Sequence, residues 1–146
     1  MGLFDDAFGS SKPRELTKQD AFAGILLGAT ASDGHIADEE ARGLCTVLAR
    51  MKLYDNWSDE KMGQTLNRIV GMIKREGVEE VLRKCARALP EELHQTAFAN
   101  ACDLVLADGV VEDEEKEFIN KLWKVLGISG DDAKTIVQVM VIKNKG

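Results

Sequence analysis

The chain has 146 residues, 45% of them apolar and 30% charged, with a formal net charge of −6. This balance describes one globular domain long enough to bury a core and excludes a disordered chain. The acidic excess excludes nucleic acid as the main partner, because phosphate binding needs a surplus of Lys and Arg.

Targeting signals are not expected. The apolar run from Ala21 to Ala31 is far too short to insert into a membrane. The start Met1-Gly2-Leu3-Phe4-Asp5-Asp6 lacks the basic and apolar regions of a secretion signal, and Asp6 stands where myristoylation needs Ser or Thr. Cys45, Cys85 and Cys102 are an odd set without close pairing, each within a predicted helix. They read as reduced, packed thiols in a cytoplasmic protein.

In chain order, residues 1–14 form an arm whose Leu3, Phe4, Ala7 and Phe8 make one amphipathic turn, suited to docking on the body or on a partner or membrane surface. A first repeat occupies residues 15–52. Thr17 caps its first helix with Asp20 in the place of the capping-box acid, and Phe22, Ile25, Leu26 and Ala29 recur at helical spacing. Gly34 suits the left-handed residue that ends this helix. A second helix after Ala37 turns Leu44, Val47, Leu48 and Met51 inward. Tyr54-Asp55-Asn56-Trp57 reads as a loop before the middle helices of residues 58–89, the first capped by Ser58 and divided from the next by Gly77. Pro90 suits the first turn of the following helix, which opens a second repeat over residues 91–128. Ser129 caps a C-terminal helix in 129–146, with Ile136, Val139 and Met140 inside. No credible strand appears. The expected fold is all-α, a single domain of six to eight helices with an internal pseudo-two-fold duplication.

The duplication is read from Ala31-Ser32-Asp33-Gly34-His35-Ile36-Ala37-Asp38-Glu39-Glu40, which returns seventy-five residues later as Leu106-Ala107-Asp108-Gly109-Val110-Val111-Glu112-Asp113-Glu114-Glu115. Leu44, Val47 and Met51 answer to Ile119, Leu122 and Leu126. Each copy ends an apolar run, turns at Asp-Gly and opens an acidic helix start. An EF-hand needs oxygen ligands at its first and third positions, where these copies have Ala29 and Ala31 or Leu104 and Leu106, so that motif is rejected.

The acids have two readings. Those at the helix starts are stabilised by the N-terminal dipole without any ligand, and Asp33 and Asp108 suit Asx-turns. Against this, Asp33 and Asp108 lie at helix C-termini, where an exposed negative charge costs roughly 0.3–1 kcal/mol. A pseudo-two-fold would also converge several carboxylates, which repel one another unless solvated, protonated or bridged by a cation. The expected site is an acidic face taking a divalent cation (calcium, magnesium, manganese or zinc) through Asp33, Glu39, Glu40, Asp103, Asp108, Glu114 and Glu115. Asp38 and Asp113 are its partner-binding residues. Asp103 answers to Gly28, which makes such a site asymmetric. His35 answers to Val110 and reads as solvent-facing ahead of a zinc ligand. His94 has no partner at metal spacing, and Trp57 and Trp123 read as core anchors. No nucleophile, phosphate loop or Cys-x-x-Cys accompanies the carboxylates, so catalysis is not expected.

Over nearly its whole length the chain resembles the tellurite-resistance TerB family. The likeness rests on Met1-Gly2-Leu3-Phe4-Asp5, Ala31-Ser32-Asp33-Gly34 with Glu39-Glu40, Ala107-Asp108-Gly109 with Asp113-Glu114-Glu115-Lys116, and Leu126-Gly127-Ile128. The resemblance implies a pseudo-symmetric helical domain with an acidic face, from a bacterial operon for tellurite and chemical stress. It implies partners of the TerC membrane type and the calcium-binding TerD type, a cytoplasmic place peripheral to the inner membrane, and no enzymatic activity. Asp33, Glu39, Glu40, Asp108, Glu114 and Glu115 match the family's acidic positions; Ala37 departs from it, since a capping Ser, Thr or Asp is usual there. Two alternatives stand beside an ion-responsive interaction module. One is thiol-based capture or reduction of an oxyanion by Cys45, Cys85 or Cys102; the other is a co-chaperone-type scaffold of the kind found beside J-domains.

Overall fold

The computed structural model describes residues 15–31, 38–107 and 109–146, with Asp38 described by its backbone alone. The N-terminal arm, Gly34 and His35 therefore lie outside the described residues.

Helix α1 (Lys18–Thr30) begins as the spacing predicts. The Thr17 hydroxyl accepts from the Asp20 amide at 3.1 Å, and the Asp20 carboxylate accepts from the Thr17 amide at 3.0 Å. Every residue from Asp20 to Ala29 is buried, so α1 has no solvent face between its two ends. Five helices pack directly on it: α2 (Asp38–Ala49), α3 (Asp59–Glu76), α4 (Val78–Ala88), α5 (His94–Leu106) and α6 (Asp113–Val125). The last helix, α7 (Gly130–Lys143), packs chiefly on α5. Short 3-10 turns occupy Lys52–Tyr54 and Glu91–Leu93, and no strand occurs among the described residues. The protein is thus all-α, with α1–α2 and α5–α6 as the duplicated pairs and α3–α4 between them.

Close approach to α1 depends on its two glycines. A Cβ at Gly24 would collide with Cys85 Sγ on α4, and one at Gly28 would stand 3.0 Å from the Phe118 ring on α6. Gly28 leaves room for Phe118, whereas its counterpart Asp103 lies on the side of α5 that faces α7.

The other caps follow local chemistry. Ser58 Oγ accepts from the Lys61 amide at 3.0 Å and Ser129 Oγ from the Asp132 amide at 3.1 Å. Gly77, at φ +90°, separates α3 from α4 as expected. Two local expectations change. The Tyr54 loop contains a 3-10 turn, because buried Tyr54 donates its hydroxyl to the Gln19 carbonyl at 2.7 Å and stacks edge-on against Trp57. Pro90 opens a 3-10 turn, so α5 proper starts only at His94.

In α7 the inward residues are Ile136, Val137 and Met140, continuing from buried Ala133, while Val139 is 50% exposed. Val139 was expected inside; the stripe 133, 137, 140 faces α5 and puts it on the opposite side. His94 bridges chain segments: its Nδ1 lies 2.8 Å from the Leu126 carbonyl oxygen and its Nε2 2.9 Å from that of Leu89.

Asp20 carries the one deeply buried charge among the described residues, at 1% exposure, and Arg68 Nη2 of α3 meets its carboxylate at 2.7 Å. Burial alone would raise this carboxyl, but hydrogen bonds from Thr17 and the Arg68 guanidinium hold it below the usual carboxylate range. Its folded value is therefore the lower one, so its contribution is present above the unfolded value of about 3.9 and is lost as pH falls through the folded value.

Three outcomes follow. Gly24→Ala should destabilise the fold by about 1–3 kcal/mol in urea titrations, through overpacking against Cys85. Arg68→Ala should cost about 2–3 kcal/mol near pH 7, discounted from a fully buried pair because the guanidinium is partly exposed. Asp20→Asn should flatten the fall of the urea midpoint below about pH 4 relative to the parent chain.

Candidate acidic groove between the repeats

α1 and α5 end near each other, and α2 and α6 start there. Between them lies a groove of about 780 Å³. Its floor is apolar, built from Ala29, Leu44, Val47, Leu104 and Val105. Its carboxylates come from both halves: Glu40 from the first repeat, and Glu112, Glu114 and Glu115 from the second. No Lys or Arg of the described residues lies within ion-pair distance of Glu40, Glu112 or Glu114. The duplication thus gathers like charges around an apolar strip.

The expected site residues are distributed unevenly. Glu40, Glu114 and Glu115 line the groove. Glu39 is exposed at the start of α2 and Asp113 at the start of α6, and neither lines the groove. The Glu115 carboxylate accepts from the Glu112 amide at 2.8 Å and, with Glu112, forms a reciprocal cap on α6. Asp103 is turned to another task. Its carboxylate accepts from Lys143 Nζ at 3.1 Å and from Asn144 Nδ2 at 2.8 Å, which ties the end of α7 to α5. Asp33 and Asp108 lie outside the described residues, as does the side chain of Asp38. Among the described residues no three His, Cys, Asp or Glu side chains form a set that would hold a metal ion. The described residues by themselves therefore do not make a cation site in the groove.

Glu112 is a groove residue that the acidic pattern did not single out. It is the N-cap of α6 and stands where the first copy has Ala37. That mismatch was the available signal: a capping side chain in one copy and none in the other. The apolar floor carried no separate signal, because Leu44 and Val105 read simply as core. Both tryptophans are partly buried against the core.

A family model described as tellurite resistance protein TerB matches residues 19–138. No curated protein and no solved structure matches the chain.

The thiols are poorly placed for chemistry. Burial pushes Cys85 up to about 12, with the Asp20 charge adding to it, and pushes Cys102 up to about 12, with Asp103 adding. Cys45 is raised by partial burial and by Asp59. A thiol must ionise to act as nucleophile, and each of these is moved away from doing so at neutral pH. With Ellman's reagent at pH 8, Cys85 and Cys102 should stay unreacted in the folded chain and react on addition of denaturant. Fast labelling of both in the native state would contradict this placement.

Proposed function

The chain belongs to the TerB family, and on that premise we propose that it is a non-enzymatic interaction module of the tellurite-resistance type. Its working surface is the acidic groove. The observation that carries this reading is the convergence of Glu40 from one repeat with Glu112 and Glu114 from the other, without Lys or Arg among the described residues to neutralise them. Such a cluster lowers its self-repulsion by taking up positive charge, as a divalent cation or as a basic segment of another protein.

In this reading Asp33 and Asp108 supply the remaining oxygen ligands for calcium, magnesium, manganese or zinc, beside Glu40 and Glu114, while Glu115 stays in its cap. The partner is a basic segment of a TerC-type membrane protein or a TerD-type protein, and the chain works at the cytoplasmic face of the inner membrane through that partner. No helix among the described residues is long and apolar enough to cross a membrane. Nothing favours the thiol reading, since burial works against thiolate formation at Cys85 and Cys102.

Calorimetry with the four ions tests the reading. One of them should give saturable heat and, at tenfold excess over its dissociation constant, raise the melting temperature by about 3–6 °C. Asp33→Asn with Asp108→Asn should abolish that rise, and Glu40→Lys with Glu114→Lys should abolish capture of the basic partner segment. Replacing all three cysteines by Ser should leave both intact. Absence of heat from every ion, together with unchanged partner capture by the charge-reversed chain, would remove the proposal.

A further inference from the structure

A second concavity meets the acidic groove at Val105 and is otherwise lined by other residues. α6 and α7 both pack on α5 but make few contacts with each other. Their splay leaves an unfilled seam of about 630 Å³ over α5. Protein interiors are close-packed, so an apolar seam of this size forgoes the contacts that an occupant would supply. Its floor is Phe98, Cys102 and Val105, and Ile119, Trp123 and Val137 form its walls.

At the α6–α7 turn the Trp123 ring lies beside Gly130. The indole is held there by its Nε1–H donating to Asn120 Oδ1 at 3.1 Å, with Lys124 above its ring. The volume of the seam falls in the range of about 300–1,000 Å³ usual for small-molecule sites, and its lining has their pattern of many apolar groups and few polar ones.

The charge of the lining selects the ligand class. Among the described residues no carboxylate lines the seam, and its two charged side chains are Lys116 and Lys134. Neither is in an ion pair with a described residue. The described lining of the seam is thus apolar with two cationic side chains, one from each of α6 and α7. We infer that the seam between α6 and α7 binds a single-chain anionic amphiphile, its hydrocarbon over Phe98 and Trp123 and its carboxylate at Lys116 and Lys134.

Decanoate and decan-1-ol are the probes, below the concentrations at which they self-associate. The wild-type chain is followed by calorimetry and Trp57→Phe, which leaves Trp123 as reporter, by fluorescence. Decanoate should bind saturably, shift the Trp123 emission to the blue, and bind about tenfold tighter than the alcohol. Lys116→Gln with Lys134→Gln, both exposed positions, should bring decanoate down to the affinity of the alcohol. Glu40→Lys with Glu114→Lys should leave decanoate binding unchanged, which separates this site from the acidic groove. Equal affinity for acid and alcohol overturns the inference, as does indifference to the lysine pair. So does a sedimenting dimer that decanoate leaves intact while the Trp123 emission stays fixed, which would put a second copy in the seam.

Discussion

A helix buried on every side has a particular difficulty at its beginning. Its first amides lack partners within the helix, at the point where the chain passes from exposed Thr17 and Lys18 to buried Asp20. In α1 the answer is local and charged: Thr17 and Asp20 satisfy each other's amides, and Asp20 keeps its charge because Arg68 reaches it from α3. This arrangement fixes where the central rod starts and which helix lies beside that start. The remaining helices then have α1 as their common surface, and Gly24 and Gly28 set how closely α4 and α6 approach it.

The same constraint explains why the two halves are similar without being equivalent. The first helix of one pair is enclosed, whereas the first helix of the other keeps a side for α7. Gly28 and Asp103 occupy equivalent sequence positions and have opposite surroundings: one leaves room for a ring, the other holds Lys143 and Asn144. The helices that follow differ too, since Glu112 caps α6 where the first copy has Ala37. Among the described residues the acidic groove shows the same imbalance, with Glu40 on one rim and Glu112, Glu114 and Glu115 on the other.

What could be read from the sequence was what depends on near neighbours. Thr17, Ser58 and Ser129 cap because their hydroxyls need only reach an amide three residues on, and Gly77 divides two helices through its own backbone. The duplication brought out Glu40, Glu114 and Glu115 because both copies carry acids there. Long-range placement was not legible in the same way. The side of α7 that meets α5 is chosen by packing, which is why Val139 faces solvent and Val137 does not. Asp103 looked like a ligand because its partners are forty residues away in the sequence. The seam beneath Trp123 arises from the angle between two helices, and periodicity within either one carries no information about it.

The attachment of α7 has a consequence for how the molecule breathes. This helix leans on α5 and is tied at its far end through Asp103, whereas α1 is enclosed by five others. Detaching α7 therefore disturbs little beyond its own interface, and it forms a cooperative unit whose opening needs less free energy than global unfolding. Its amides exchange with solvent through that partial opening, while those of the central rod wait for the whole chain to come apart.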